Sequence, residues 1–434
     1  MRPNRREFLG TGLSAAALAA VGAAGTLLRP SPLEAQEPPT RPSESPKRYF
    51  LFAQPDGSEA RNVKQKGILF VNIDDGLAKG RWEIERVIEV PYLSSLRNGN
   101  GPGIRGVAVC AANNRCYLSA SQGGKESCRL LCVDLITGNL IYEKPVPGLG
   151  RLQVTPDGAT IFLPVDWFAG ESACAVDAAT GEVKRLYPAR YFHHLAMGPG
   201  GKFIYAAYKN HPDPKRAPGL HVLDAKSLEV VQEMTGQDGV LVGSEPHIQV
   251  DAAERYVCSH CRMRGVAMQM IEPAAKKVHN LPNQTWRELW PDFAKHEELT
   301  KPGRDAKAWA DGMPSYHGIA YRPDGRRAWV AVEGNRPDLV EFDFGVMPPK
   351  PLRVVQEGAL RSGKGWIFTS RRGDVLVGST GKMHDGQSGK LLGEVVYADG
   401  SPIYESKPCE MHIRGGKVVF GSASCACGYP AEAG

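Results

Sequence analysis

The stretches HLAMGPGGKFIY (194–205), HIQVDAAERYVC (247–258), HGIAYRPDGRRAWV (317–330) and HIRGGKVVF (412–420) share one plan. Each opens on a histidine, runs through a short apolar strand, turns on Pro, Asp, Gly or a polar substitute, and enters a second apolar strand. Two more stretches, RGVAVCAANNRCYL (105–118) and RLQVTPDGATIFL (151–163), carry arginine at the opening position. Asp and Asn satisfy the backbone groups of such turns and Gly supplies positive φ, so each stretch reads as a β-hairpin.

The hairpins recur. From Arg105 through Arg151, His194, His247, His317 and Trp366 to His412 the steps are 46, 43, 53, 70, 49 and 46 residues. A third strand in each unit ends in an Asp turn: Val133-Asp134-Leu135-Ile136-Thr137-Gly138 returns as Val176-Asp177-Ala178-Ala179-Thr180-Gly181 and as Leu223-Asp224-Ala225-Lys226-Ser227-Leu228. A period in the forties with four short strands marks a β-propeller, where each sheet buries its faces only against its neighbours. From Arg48 onward, strand-length apolar runs alternate with turns and helical periodicity is almost absent. The expected fold is all-β, a seven-bladed β-propeller over 48–430. Its first blade lacks an inner strand, which EMHIRGG (410–416) supplies to close the ring. Eight blades result instead if KVVFGSA (417–423) duplicates that sheet.

The ends and insertions read differently. Asn4-Arg5-Arg6-Glu7-Phe8-Leu9 resembles a twin-arginine export signal, and an uncharged Ala/Gly-rich run follows to Leu28. Cleavage after Ala35 fits, which makes 1–35 a signal peptide and 36–47 a disordered linker rich in Pro and Ser. No second apolar run of that length occurs, so the mature chain is expected in the periplasm or secreted, without a membrane partner. The net charge of +6 over 434 residues is too weak to argue for nucleic acid. The ten cysteines suggest disulfides in an exported protein, with Cys110–Cys116, or Cys116 with Cys128 or Cys132, among the pairings. The long step before His317 holds an insertion at 283–312, with Trp286, Trp290 and Trp309, that reads as a lid or as a surface excursion.

On the Pro156-Asp157-Gly158 and Pro323-Asp324-Gly325 turns and the Asp-x-x-Thr-Gly turns, residues 48–430 resemble the YVTN-type seven-bladed propellers. That resemblance implies the fold and leaves function open, because the architecture serves lactonases, lyases, oxidases, electron-transfer subunits and binding proteins.

If the opening residues converge on one axis, His194 (or its neighbour His193), His247, His317 and His412 can hold one transition metal: copper or iron, with zinc and manganese as alternatives. Glu245 and Glu410 precede His247 and His412 by two residues, on the same side of a strand, and would brace the imidazoles. The arrangement is similar in geometry to that of the carotenoid-cleavage dioxygenases, which hold iron on four axial histidines. Arg105 and Arg151 on adjacent blades suit an anionic small molecule or saccharide, and Tyr316 would wall the pocket. The function expected is a metal-dependent oxidoreductase. A lyase on uronate-like substrates is the alternative. So is a binding or electron-transfer subunit with a periplasmic redox partner, resembling amine dehydrogenase heavy chains. A serine-triad hydrolase is disfavoured, since no Gly-x-Ser-x-Gly elbow is present.

Overall fold

Short runs of Val, Ile, Leu, Phe, Tyr and Ala between Gly-, Asp- and Asn-bearing turns form β-strands throughout. The computed structural model describes residues 45–56, 63–96, 103–164, 172–190, 194–243, 247–260, 266–282, 316–332, 339–355, 366–403 and 406–424. The expected signal peptide, most of the linker, the 283–312 insertion, His193 and Glu245 lie outside them, as do the side chains of Tyr316 and His317. The chain divides after Ser43, and every described element belongs to the unit Glu44–Gly434.

Five sheets have four antiparallel strands each, in sequence order. The first is Gly103–Cys110, Arg115–Ser121, Arg129–Asp134 and Leu140–Pro145. The others begin on Gln153–Val154, Leu195–Met197, His247–Val250 and Tyr316–Tyr321. The remaining sheet has nine strands. Ile367–Thr369, Val375–Gly378, Lys382–Asp385 and Leu391–Val396 make one part. Trp82–Glu89, Gly67–Asn72, Lys47–Gln54, Lys407–Arg414 and Lys417–Gly421 make the other. The two parts join only by a parallel step, Val395 opposite Trp82 and Val396 opposite Glu83.

Closure by the C-terminal strand occurs as the sequence implies, with a longer strand than EMHIRGG. Lys407–Arg414 pairs with Lys47–Gln54 in a register that sets Lys407 opposite Ala53 and His412 opposite Arg48. Lys417–Gly421 then adds to the opposite edge of that strand. Beyond it Ser422 accepts from the amide of Val109, and Ser424 donates to the carbonyl of Val107, so the chain's end is stitched to the first sheet.

The core lies between sheets. Cys116, Leu118 and Val133 of the first sheet pack with Leu51, Cys409 and Met411 of the closing one. On the first sheet's other face, Cys132 and Tyr117 pack with Ile161, Leu163 and Cys174 of the second. Alternation explains why the anticipated disulfides do not form. Cys116 stands opposite Val133 while Cys132 stands opposite Tyr117, so the two thiols point to different faces.

Cys110, Cys116, Cys128, Cys132, Cys174, Cys258 and Cys409 are all buried, and Cys110, Cys116, Cys132, Cys174 and Cys409 are free thiols. Cys261, Cys425 and Cys427 lie outside the described residues. Burial pushes the thiols of Cys132 and Cys174 up to about 12, and that of Cys116 well above its ordinary value. The thiolate is the reactive form, so these groups stay protonated and inert at pH 8. Iodoacetamide should leave these five free thiols unmodified in the native protein and alkylate all five after denaturation without reductant, as read by peptide mass spectrometry. Disulfide-linked peptides among them would contradict this arrangement.

Candidate functional site at the axis

The rung that lies four residues along the second strand from the turn ending the third strand marks one structural position in every sheet. Counting back from the Asp turns, Gly106 opposite Ser119, His247 opposite His260 and Lys407 opposite Ala53 are equivalent. Arg151, His194 and Trp366 fall at the same level: Arg151 bridges His194, and the carbonyl of Trp366 accepts from the amide of Ser379. The first sheet departs from the rule for a steric reason. A Cβ at Gly106 would lie 2.6 Å from the carbonyl oxygen of Gly150, so only glycine fits the rung. The strand bulges there, and Arg105 supplies the side chain. His317-Gly318 repeats the device, with a bulge between Tyr316 and Gly318.

These positions bring six described side chains and a seventh acidic one into a single cluster. The Arg151 guanidinium lies 3.3 Å from the centre of the Trp366 ring, a cation–π contact, and the Lys407 ammonium lies 4.6 Å from it. His247 stacks on the same indole, with centroids 4.9 Å apart at 24°. The His194 and His247 rings are 5.8 Å apart. Asp56, at the end of the segment that follows the strand Lys47–Gln54, pairs with Lys407 and lies 3.6 Å from Arg105. Lys407 and Asp56 are 0% and 1% exposed, so this is an ion pair removed from water.

The hydrogen bonds fix the tautomers of both imidazoles. Arg151 Nη1 is 2.9 Å from His247 Nδ1, and a guanidinium has donors only. The backbone amide of Ile248 donates to His194 Nδ1 at 3.2 Å. In both rings Nδ1 therefore accepts, and the ring proton sits on Nε2. A metal ligand presents a lone pair; these two rings present an N–H.

His412 does not join them. It stands five residues beyond Lys407 on the same strand, about 16 Å away at strand rise. The correction has a clear physical cause: the inner strand of the closing sheet begins at Lys407, and His412 is near its far end. Its pairing with Glu410 is as the alternation implies. His412 Nε2 is 2.7 Å from Glu410 Oε1, and the other carboxylate oxygen accepts from the amide of Arg371. The dyad is thus real but lies at the opposite mouth of the channel, beside a cavity of about 840 Å³.

Neither a protein-family model nor a curated protein sequence matches the chain. Solved structures do. Hydrazine synthase from Kuenenia stuttgartiensis aligns at 14% identity and a TM-score of 0.50, over 75% of this chain and 88% of that one. A provisionally assigned 6-phosphogluconolactonase from Bacteroides fragilis aligns at 12% identity and a TM-score of 0.52, over 89% and 99%. Both are propeller-type folds. This chain is a β-propeller. At such identities the likeness extends to the fold alone.

Within the propeller, the anticipated residues sort into three groups. Arg105, Arg151, His194 and His247 meet in one largely buried cluster at the end of the inner strands. His412 and Glu410 stand at the opposite end. The side chains of His317 and Tyr316, and all of Glu245, lie outside the described residues. Reading the sequence missed Lys407, Asp56 and His260; the last lies 5.6 Å from His247, ring centre to ring centre. It also missed a cluster on the third sheet. There His211, His221 and Glu233 have ligand atoms within 4.8 Å of one another, the one such trio among the described residues. Arg216, Tyr208 and His221 all bond the Glu233 carboxylate. Burial opposes its ionisation, but these donors outweigh that and hold it down at about 2.

Proposed function

We propose that this chain is an exported, seven-bladed β-propeller that binds an anionic small molecule at the Arg105–Arg151–Lys407 mouth of its channel. The twin-arginine-like N-terminus supports export. Two features support seven blades. The nine-stranded sheet splits at its two-residue parallel step into a four-stranded blade and the closing blade, which joins the five separate sheets. The described buried apolar side chains also fall into seven clusters, each shared by two consecutive sheets around the ring.

The observation that carries the anion reading is the polarity of the axial groups. Arg105, Arg151 and Lys407 offer only donors, and the tautomers of His194 and His247 direct Nε2–H outward from their anchored Nδ1 atoms. Such a set stabilises a carboxylate, sulfate or phosphate oxygen, and would equally stabilise an oxyanion that develops on a bound uronate-like acid. A metal held by His194 and His247 would require both rings to surrender either the Nε2 proton or the bond at Nδ1.

Titration calorimetry of the mature protein with inorganic phosphate, sulfate and galacturonate tests this. At least one anion should bind at millimolar concentration or below and weaken by about tenfold or more in Arg151→Gln, the usual cost of losing a charge-assisted hydrogen bond. Elemental analysis should find less than about 0.1 equivalent of copper, iron, zinc or manganese. A stoichiometric metal that disappears in His247→Ala would replace this reading with the metal-enzyme one.

A further inference from the structure

The opposite mouth has chemistry the axial ring does not use. The inner-to-second-strand turns of two sheets read Thr155-Pro156-Asp157-Gly158 and Arg322-Pro323-Asp324-Gly325; the corresponding turn here is Ser370-Arg371-Arg372-Gly373. Two arginines replace Pro-Asp at the rim. A third, Arg414, comes from the Gly415-Gly416 turn that ends the closing strand. All three line the 840 Å³ cavity, no Asp or Glu is among its lining residues, and the acidic contact of Arg372, Asp74 at 4.0 Å, is an exposed pair that water screens.

The floor is apolar. Val109, Val418 and Phe420 form it, and Phe420 carries the Arg371 guanidinium 4.4 Å from its ring centre and the His412 ring at 4.8 Å. His412 faces the cavity, 6% exposed. Its Nε2 donates to Glu410, an acceptor only, and in the neutral imidazole Nδ1 is then the acceptor. No protein group among the described residues bonds Nδ1. Glu410 itself is sealed behind the imidazole, with both oxygens engaged.

We propose that this cavity binds a hydroxycarboxylic acid with an apolar body. The rim arginines take the carboxylate, the apolar floor takes the body, and His412 Nδ1 accepts from the hydroxyl. Glu410 is the positioning residue that fixes the tautomer. The combination selects: a simple carboxylate leaves Nδ1 without a donor, and a neutral amide forgoes the charge-assisted bonds that Arg372 and Arg414 give a carboxylate.

The test is titration calorimetry of the full chain with three probes, mandelate, phenylacetate and mandelamide. Mandelate should bind, and each of the other two should bind about tenfold or more weaker. The surface pair Arg372→Gln/Arg414→Gln should weaken mandelate by a similar factor. It should leave the melting temperature unchanged, since both side chains are exposed. Val419→Trp, on the exposed lining, should block the site. His412→Phe should abolish the preference for mandelate over phenylacetate; if that variant fails to fold, the arginine pair and Val419→Trp still decide. Arg151→Gln should leave mandelate binding intact. The proposal falls if mandelate does not bind at millimolar concentration, if the rim variants bind it as the parent does, or if Arg151→Gln alone removes it.

Discussion

Lys407→Met should destabilise the protein by about 3–5 kcal/mol, the usual result of removing one partner from a buried ion pair. The reason is what the substitution leaves behind. Asp56, 1% exposed, would lose its ammonium and keep the more distant Arg105 at 3.6 Å. The pair also ties the closing strand to the segment that follows the strand it completes, so the loss falls on the seam of the ring. Urea denaturation should show a lower midpoint, and the double variant Lys407→Met/Asp56→Asn should recover part of the loss because the interior carboxylate is gone as well. If the double variant is as unstable as the two single changes together, Lys407 contributes through its contact with Trp366 instead of through Asp56.

The repeat was legible because every hairpin carries its own turn chemistry. The Asp turns ending the third strands set the period, and the sheets follow them: Asp134 Oδ1 accepts from the amides of Ile136 and Thr137, and Asp177 repeats the pattern with Ala179 and Thr180. Arg151, His194 and His247 were legible for the same reason, each standing seven residues before the positive-φ residue of its turn (Gly158, Gly201 and Glu254), while Arg105 stands nine before Asn114 because its strand bulges. His412 breaks that rule visibly. Gly158, Gly201 and Gly373 take positive φ seven residues after Arg151, His194 and Trp366, whereas Gly415 follows His412 by three. Seven residues before Gly415 stands Pro408, next to Lys407. Turn spacing, and not the presence of an imidazole, marks the axial level.

Asp56 could not be found this way. It belongs to no repeat, and only the fold carries it to the axis. The thiols are a different case. Cysteine count and compartment argue for disulfides, but pairing depends on which face each residue takes, and neighbouring strands here set Cys116 and Cys132 back to back. The tautomers of His194 and His247 are likewise invisible in sequence, since each depends on one donor: a guanidinium two blades away, and the backbone amide of Ile248.

The seam between sheets matters as much as the seam of the ring. Neighbouring sheets of a propeller share few backbone hydrogen bonds, so each joint rests on side chains that cross it. Trp329 is the largest such group between the fifth and sixth sheets, fully buried with Ala331, Leu339, Ile367 and Leu376. Its Nε1 donates across the joint to the carbonyl of Gly386 at 3.0 Å, and its ring edge lies so close to Gly389 that a Cβ there would meet it at 2.6 Å. Arg322 and Arg353 sit over the ring at 5.4 and 5.5 Å, held there by the buried carboxylate of Glu341. Trp329→Ala should therefore cost about 3–5 kcal/mol, because it opens a cavity at the joint and removes the indole's packing. Trp329→Phe keeps most of the burial but strands the Gly386 carbonyl, and should cost about 1–2 kcal/mol. Chemical denaturation of the two variants separates packing from hydrogen bonding. Equal losses would mean that the Gly386 bond, and not the area of the indole, holds these two sheets together.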